Sequence, residues 1–248
     1  MLKEYKADLH IHTCLSPCSD LRMTPFAIAK TANEKGLDII AITDHNSAEN
    51  VPAAKKTGKN NDITVLAGME VTSKEEVHVL GLFEHYEEIQ KLQEIIYEKL
   101  QQGENDVTEF GEQVVVNEYD EVLSFNPRLL IGATGLSLKE IVDTIHSFGG
   151  LSIASHVDRE AFGVVSQLGF IPEDVQFDAL EMSPRIERNK AVELFGNFNS
   201  IPLISSSDAH SLEDIAKRKT HFFIQEPSFN EITLALKNID GRRVEWRG

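Results

Sequence analysis

The amino-acid sequence predicts an α/β fold in which helices lie outside a parallel sheet. Two observations indicate it: short apolar or β-branched runs alternate with segments of helical period, and roughly seven such units follow one another along the 248 residues. That number favours a closed or nearly closed barrel, with an open doubly wound sheet as the alternative. No dinucleotide-binding or Walker motif occurs. A hydrophobic content of 41% supports a core, and residues 1–248 are predicted to form a single domain.

The first quarter of the chain follows this alternation closely. Residues 6–12 alternate polar and apolar side chains, which predicts the first strand. A helix is predicted from Pro25, a residue suited to a first helical turn, to Lys35, with Gly36 as its C-terminal cap. The apolar residues 37–43 predict a strand that is buried on both faces. A short helix at 48–56 and a strand at 63–67 follow.

The middle of the chain interrupts the pattern. After a strand at 77–83 and a helix at 86–100, the segment 101–134 mixes acidic and amide residues with scattered valines. This composition indicates an inserted hairpin or cover rather than another βα unit. Ser137 and Glu140 form a capping box that begins the next helix, which ends at Phe148. The remaining predicted elements are strands at 151–155, 178–182, 201–205, 220–225 and 244–246, and helices at 159–168, 187–198 and 228–238.

Histidines and carboxylates collect where the predicted strands end. His10 and His12 lie two residues apart in a strand, so their imidazoles project to the same side and can hold one metal ion. The carboxyl ends of parallel barrel strands share one face, where active sites are found. Many buried polar rings at that rim would be costly without a bound partner. The other residues at such positions are Asp44, His45, Glu70, His78, His156, Asp208 and His210.

The composition restricts the expected partners. With 24 Lys and Arg against 40 Asp and Glu, the formal charge of −16 argues against binding along a long nucleic-acid backbone. A small anionic substrate beside metal ions remains compatible with it. The N-terminus has no apolar signal-peptide region, and no apolar run approaches the about 20 residues of a membrane span. Cys14 and Cys18 do not make a disulfide framework, so we expect a cytoplasmic protein without membrane contact.

Five groups of residues resemble the PHP (polymerase and histidinol phosphatase) family of metal-dependent phosphoesterases. They occur in the family's order between residues 8 and 210, so the resemblance covers most of the chain. It implies a distorted (β/α)7 TIM-like barrel, here with an inserted segment around residues 101–134, and two or three divalent ions at the C-terminal face. The matching groups are Asp8-Leu9-His10-Ile11-His12-Thr13, Thr43-Asp44-His45, Gly68-Met69-Glu70 with His78, Ser155-His156, and Ser207-Asp208-Ala209-His210.

Carried over by position, the resemblance implies three metal sites, the first two bridged by Glu70. Asp20 is the loosest match, because many relatives have this ligand closer behind the His-x-His pair. Cys18 competes with it, since thiolate is a good zinc ligand. The implied ligands are His10, His12, Glu70 and Asp208 for the first ion, Glu70, His78 and His156 for the second, and Asp20, His45 and His210 for the third.

The donor types suit zinc, manganese or iron, because imidazole mixed with carboxylate leaves too few oxygen ligands for calcium. Such ions can clamp a phosphoryl group and activate a bridging water as the nucleophile. Besides Glu70, Asp44 is expected in catalysis, orienting a ligand histidine or water, with a helix cap as the alternative. Arg159 and Arg185, with Arg188 as a similar candidate, would bind substrate phosphate unless they are solvated surface charges.

These inferences predict a hydrolase that cleaves a phosphate ester of a small molecule, nucleotide or short oligonucleotide with a metal-activated water. The expected partner is a small phosphorylated substrate or a short oligonucleotide, and not long duplex nucleic acid; the oligomeric state is left open. Two alternatives remain: a histidinol-phosphate phosphatase, and a non-catalytic metal-binding regulatory module. The complete ligand set argues against the second, because degenerate sites usually lose ligands.

Overall fold

The computed structural model describes residues 1–196 and 201–247, so the predicted helix end at Phe198 lies outside the described residues. The strands are β1 (Lys3–Ile11), β2 (Ile39–Ile42), β3 (Thr64–Thr72), β4 (His78–Phe83), β5 (Val114–Val116), β6 (Val122–Phe125), β7 (Leu151–Ala154), β8 (Ala179–Met182), β9 (Leu203–Ser205), β10 (Thr220–Ile224) and β11 (Arg243–Trp246). The helices are α1 (Pro25–Glu34), α2 (Val51–Asn60), α3 (Tyr86–Lys99), α4 (Val107–Phe110), α5 (Leu138–Ser147), α6 (Val164–Leu168), α7 (Arg188–Phe195) and α8 (Phe229–Leu236). None of these helices combines the length and the hydropathy that a membrane crossing requires.

Seven strands form a nearly closed barrel, which confirms the predicted fold class. Their order is β1-β2-β3-β4-β7-β8-β9. At the carboxyl end of β1 the ring is closed by a parallel bridge between Ile11 and Ala209, where the amide of His12 donates to the Ala209 carbonyl at 3.0 Å. At the opposite end β10 and β11 continue the sheet beyond β1. The Ser205 amide donates to the Thr220 hydroxyl at 2.9 Å and so ties β9 to β10.

One strand of the barrel runs against its neighbours. β4 is antiparallel to both β3 and β7, whereas the sequence predicts a parallel sheet. The cause is the connection at 73–77, which is far shorter than the dozen or more residues of a parallel crossover. As a result, His78 at the start of β4 lies at the same end of the barrel as the carboxyl ends of the other six strands.

A register shift in β1 determines which side chains face the barrel interior. Leu9 packs in the interior cluster and Ile11 in the cluster between sheet and helices, although residues two apart normally share a face. The pairing of β1 with β2 is irregular between Asp8 and Ile11, and such a bulge re-aims the side chains that follow it. His10 and His12 consequently lie above the apolar interior, at the carboxyl end.

The segment 101–134 is an insertion with its own small hairpin, as predicted. β5 and β6 pair with each other and not with the barrel. The Val114 amide donates to the Cys14 carbonyl at 2.9 Å, and Asn46 Nδ2 donates to the carbonyls of Leu130 and Gly132 at 2.8 Å. The insertion is thereby fixed to the loops that follow β1 and β2.

The helix predicted at 159–168 is shorter in the structure. α6 begins only at Val164, after turns in which His156 and Phe162 have positive φ angles of 26° and 60°. Gly163 is required there, since a Cβ would lie 2.5 Å from the Arg159 carbonyl oxygen. The chain beyond β7 therefore forms a tight rim on the carboxyl face instead of a helical turn.

A buried ion pair fixes α8, which closes the amino end of the barrel. Arg242 Nε and Nη2 donate to the two carboxylate oxygens of Glu231 at 2.9 and 2.8 Å, and the Gln225 amide donates to Glu231 at 2.7 Å. Side-chain hydrogen bonds from Arg242 hold the pKa of Glu231 below its ordinary value. The pair therefore contributes stability above the ordinary carboxyl pKa, and the contribution is lost as pH falls through the lowered folded-state pKa.

We expect Glu231→Gln to lower the free energy of unfolding at neutral pH by about 2–3 kcal/mol, because charge-assisted hydrogen bonds are lost in a buried site. Glu245→Gln, in an exposed pair with Arg243, should lower the free energy of unfolding far less. Urea unfolding from neutral to acidic pH measures both. The difference between wild type and Glu231→Gln should shrink below about pH 4; a difference that stays constant there would contradict this assignment.

Candidate metal centre

Eight of the nine predicted metal ligands lie together at the carboxyl end of the barrel. Six strands end there and β4 begins there, so residues distant in sequence converge. Two of the eight, Asp208 and His210, are partly exposed, and the other six are buried. The side chains that meet are those of His10, His12, His45, Glu70, His78, His156, Asp208 and His210.

Glu70 is the centre of this cluster. Five imidazoles approach its two carboxylate oxygens, each at a distance that fits either a hydrogen bond or a shared cation. Oε1 lies 2.9 Å from His78 Nδ1, 3.2 Å from His156 Nε2 and 3.3 Å from His10 Nε2. Oε2 lies 3.1 Å from His45 Nδ1 and 3.4 Å from His12 Nε2. A carboxylate in this position can bridge two cations.

The first predicted group has the spacing of a metal site. His10 Nε2 and His12 Nε2 lie 3.1 Å apart, and each lies 3.2 Å from Asp208 Oδ1. Donors bound tetrahedrally at about 2.0–2.1 Å from a zinc ion are about 3.3 Å from one another. The three donors, with Glu70, therefore have the separations that such an ion requires.

The tautomers of the two strand histidines follow from their outer contacts. Glu181 Oε2 lies 2.9 Å from His10 Nδ1, which must donate to this carboxylate. The Ser16 hydroxyl donates to Asp44 at 2.7 Å, so it can only accept from His12 Nδ1, at 2.9 Å. In the neutral tautomer that these contacts select, each ring presents an unprotonated Nε2 to the cluster.

In these tautomers the cluster contains more hydrogen-bond acceptors than donors. His10 Nε2 and His12 Nε2 face each other and the carboxylates of Glu70 and Asp208, with no proton between them in that tautomer. Asp208 Oδ1 and His45 Nδ1 are buried and form no hydrogen bond with any described residue. A divalent cation fits such a set of donors, and soft or borderline ions match imidazole with carboxylate.

The electrostatic environment keeps the two carboxylates of the cluster charged. Burial opposes ionisation of Glu70, but His78 and His10 outweigh it and hold its pKa well below the ordinary value. The pKa of Asp208 is lowered in the same way against the effect of burial, chiefly by His10. Burial and a neighbouring histidine lower the pKa of His12 to about 4. Burial opposes the protonation of His10, but Glu181, Asp208 and Glu70 raise its pKa well above the ordinary value, so a metal ion bound at its Nε2 would displace a proton. Charged carboxylates and neutral imidazoles are the forms that bind a metal ion.

Asp44 does not face the cluster. Its buried carboxylate accepts hydrogen bonds from the Thr13 amide, the Thr13 hydroxyl and the Ser16 hydroxyl, each at 2.7 Å. Through Ser16 it is linked to His12, the kind of contact that a positioning role requires; that role stays a prediction, and none of these three contacts caps a helix. Sequence reasoning missed Glu181, which makes such a contact with His10. Its only signal was an acidic residue inside an apolar strand.

The third predicted group is only partly assembled. His12, His45 and His210 offer donors that lie within 4.8 Å of one another. Asp20 is not among them: its carboxylate binds the Arg22 guanidinium at 2.7 and 3.0 Å. Cys18 lines the pocket that contains His45 and His210, so the choice between the carboxylate and the thiol stays a prediction.

The predicted phosphate-binding arginines lie beside the cluster. Arg159 Nη1 is 2.6 Å from Asp208 Oδ2, and Arg159 Nε is buried without a hydrogen-bond partner among the described residues. Arg159 and the exposed Arg185 line a cavity of about 660 Å³ that adjoins the cluster. Arg188 lines a different cavity, with Val244 and Trp246. Arg159 and Arg185 thus line one cavity, whereas Arg188 lines another.

The fold resembles two solved structures of endonuclease Q. The lesion-specific endonuclease PfuEndoQ from Pyrococcus furiosus matches with a TM-score of 0.76 at 20% identity, over 98% of this chain and 58% of that chain. Endonuclease Q in complex with a 27-mer duplex substrate with an abasic lesion at the active site matches with a TM-score of 0.74 at 22% identity, over 97% and 58%. Similarity at this level of identity establishes the fold.

A curated relative also aligns with nearly the whole of this chain. The uncharacterized protein YqxK of Bacillus subtilis (strain 168) is 24% identical over 265 aligned residues, which include 98% of this chain and 64% of YqxK. The chain therefore spans less than two thirds of the length of YqxK and of the two endonuclease Q chains.

The prediction that excludes long duplex nucleic acid as a partner is wrong. A protein that shares the fold over 97% of this chain holds a 27-mer duplex at its active site. The prediction relied on the net charge of −16, which sums over the whole surface. Contact with phosphates depends instead on the local field at the site, which bound cations and arginine side chains can make positive.

The family is identified by a match to a PHP domain model over residues 8–162, which is more than half of the chain. The matched segment extends from β1 to the rim beyond β7 and contains His10, His12, Glu70 and His156. The clustering of these side chains agrees with what the sequence motifs imply. The chain belongs to the PHP family of metal-dependent phosphoesterases.

Proposed function

We propose that this chain hydrolyses phosphodiester bonds in a nucleic-acid strand with a metal-activated water. The observation that carries the proposal is the convergence of five imidazoles on Glu70 beside an arginine-lined cavity. The likeness to endonuclease Q over nearly the whole chain supports a nucleic-acid substrate. Because the identity is low and those chains are longer, the likeness supports a substrate class and no particular lesion.

Two or three divalent ions bound at this centre would polarise a phosphoryl oxygen and lower the pKa of a bound water. The side chains of the cluster would hold the ions, with Glu70 between two of them. Glu181, and Asp44 through Ser16, would fix the tautomers and orientations of His10 and His12 so that Nε2 of each ring is directed at the ions. No side chain needs to act as the nucleophile.

The cavity beside the cluster would bind the substrate chain. Arg159 lies at the boundary, in contact with Asp208, and has a buried Nε without a partner among the described residues. Arg185 lies on the cavity wall and is exposed. A phosphodiester strand presents a second phosphate next to the one that is cleaved, and a guanidinium fork suits its oxygens. We assign Arg159 and Arg185 to that neighbouring phosphate.

A second candidate is hydrolysis of a phosphate ester of a small molecule or a nucleotide. The net charge of −16 favours it, because such a substrate needs no extended basic surface. A cavity of about 660 Å³ is also of a size that encloses a small ligand.

One assay separates the two candidates. End-labelled duplex DNA with and without an abasic-site analogue, the corresponding single strand, bis(p-nitrophenyl) phosphate and p-nitrophenyl phosphate are incubated with the protein and manganese or zinc. We expect cleavage of at least one DNA and of the diester. Hydrolysis of the monoester alone would contradict the proposal and favour the second candidate.

If Arg185 binds the neighbouring phosphate, its replacement should change KM much more than kcat. Arg185→Ala should raise KM for a DNA strand about tenfold and leave kcat within about twofold, because the contact is equal in ground and transition states. Arg188→Ala is the matched control and should change neither, since Arg188 lines another cavity. Steady-state kinetics on a fluorescent oligonucleotide measure both. Equal effects of the two substitutions would refute the assignment.

A further inference from the structure

Phe162 lies between the metal centre and the arginine-lined cavity and belongs to the lining of both. Its side chain is exposed at a position where the backbone has a φ of 60°, a conformation that bulky residues rarely adopt. The His78 amide donates to the Phe162 carbonyl at 3.0 Å. An exposed aromatic residue that the chain holds in a strained conformation indicates a functional role rather than a role in core packing.

The ring of Phe162 has one covered face. It stacks on the His78 imidazole with ring centroids 4.3 Å apart and an interplanar angle of 13°. The residue remains 36% exposed and lines the cavity that Arg159 and Arg185 also line. A flat apolar ring, the guanidinium of Arg185 and that of Arg159, which also pairs with Asp208, thus line one cavity.

The acidic groups at this cavity are the carboxylates of Asp158 and Glu160. Asp158 is engaged by Ser183, whose amide and hydroxyl donate to its two oxygens at 2.7 and 2.6 Å. Glu160 is exposed at the rim. Phe162 and the two arginines therefore give this cavity an aromatic ring and positive charge, a combination that suits an aromatic ring joined to a phosphate.

We propose that this cavity is a nucleotide subsite in which a nucleobase stacks on Phe162 while its phosphate contacts Arg159 and Arg185. Stacking on an aromatic side chain accepts every base, because each has a π-face. The subsite deepens the proposed function: it rests on a nucleotide-containing substrate and places the base next to the cleaved phosphate. It predicts that the protein discriminates a phosphate that carries a base from one that does not.

Equilibrium binding tests the subsite without turnover. The probes are AMP and ribose 5-phosphate, which differ by the base, and the protein is treated with chelator so that neither is hydrolysed. We expect wild type to bind AMP about tenfold more tightly than ribose 5-phosphate. Phe162→Leu should lose this preference and keep its affinity for ribose 5-phosphate. Phe162→Trp should retain the preference, and AMP should quench its indole fluorescence above the background of the single native, buried Trp246.

Two kinds of binding result would overturn the subsite. Equal binding of the two probes by wild type, or no AMP binding at millimolar concentration, means that no base is recognised. Equal weakening of both probes by Phe162→Leu means that Phe162 only supports His78; the metal content of the reconstituted variant would then fall as well. If AMP is preferred while no strand is cleaved, the proposed function fails and the subsite stands. If strands are cleaved without the preference, only the subsite fails.

Discussion

Glu70→Gln is expected to lower kcat/KM for phosphodiester hydrolysis by about 10³-fold or more. The wild-type carboxylate faces five imidazole nitrogens at 2.9–3.4 Å. A neutral amide bridges two cations poorly, and its NH₂ group presents protons to nitrogens that would otherwise bind metal. Hydrolysis of bis(p-nitrophenyl) phosphate at saturating manganese measures the loss.

Glu84→Gln is the control for this substitution. Glu84 is exposed just after β4, and its carboxylate has a long contact with His85 at 3.9 Å, while its backbone carbonyl accepts from Lys55. Its replacement should leave the rate unchanged. Circular dichroism of both variants should match wild type, since the barrel core does not include either carboxylate. A Glu70→Gln variant with the wild-type rate would show that hydrolysis does not depend on the cluster.

The second large effect concerns a residue outside the ligand set. Glu181→Ala should weaken binding of the first metal ion about 10–100-fold, because loss of an outer hydrogen-bond partner frees the ligand ring and its tautomer. Glu181 accepts from His10 Nδ1 at 2.9 Å and from the His156 amide at 3.1 Å. Glu181→Gln keeps an acceptor oxygen and should restore part of the affinity. Competition with a chromophoric chelator measures it.

Asp178→Ala provides the matched control. Asp178 Oδ2 lies 2.9 Å from His146 Nε2, a carboxylate–imidazole pair of the same kind at a place remote from the cluster. Its replacement should leave metal affinity unchanged within about twofold. Equal metal affinity of Glu181→Ala and wild type would show that His10 needs no outer partner.

The fold was predictable where local patterns and connection lengths agree. Most predicted strands and helices occur within a few residues of their expected bounds, because apolar period and capping residues act locally. The orientation of β4 was not predicted, although the short connection before it contained the information. The bulge between Asp8 and Ile11 could not be inferred, since it depends on pairing with β2.

The site was predictable to the extent that its residues belong to motifs. Eight motif residues converge, whereas Asp20, the residue that fits the motif least well, is bound to Arg22. Glu181 was not found, because a single carboxylate in the sequence does not reveal which histidine it will meet across the barrel. Net charge misled the choice of partner, since the summed charge does not describe the local field at the barrel mouth.

The central claim, that the cluster binds the ions which make this protein a phosphodiesterase, is tested most directly by metal stoichiometry measured together with activity. Purified protein is stripped by chelation, reconstituted with manganese or zinc, and analysed for metal per chain and for hydrolysis of bis(p-nitrophenyl) phosphate. We expect two or three equivalents per chain, no hydrolysis in the stripped protein and recovery as the sites fill. Undiminished hydrolysis by protein that contains no metal would contradict the account.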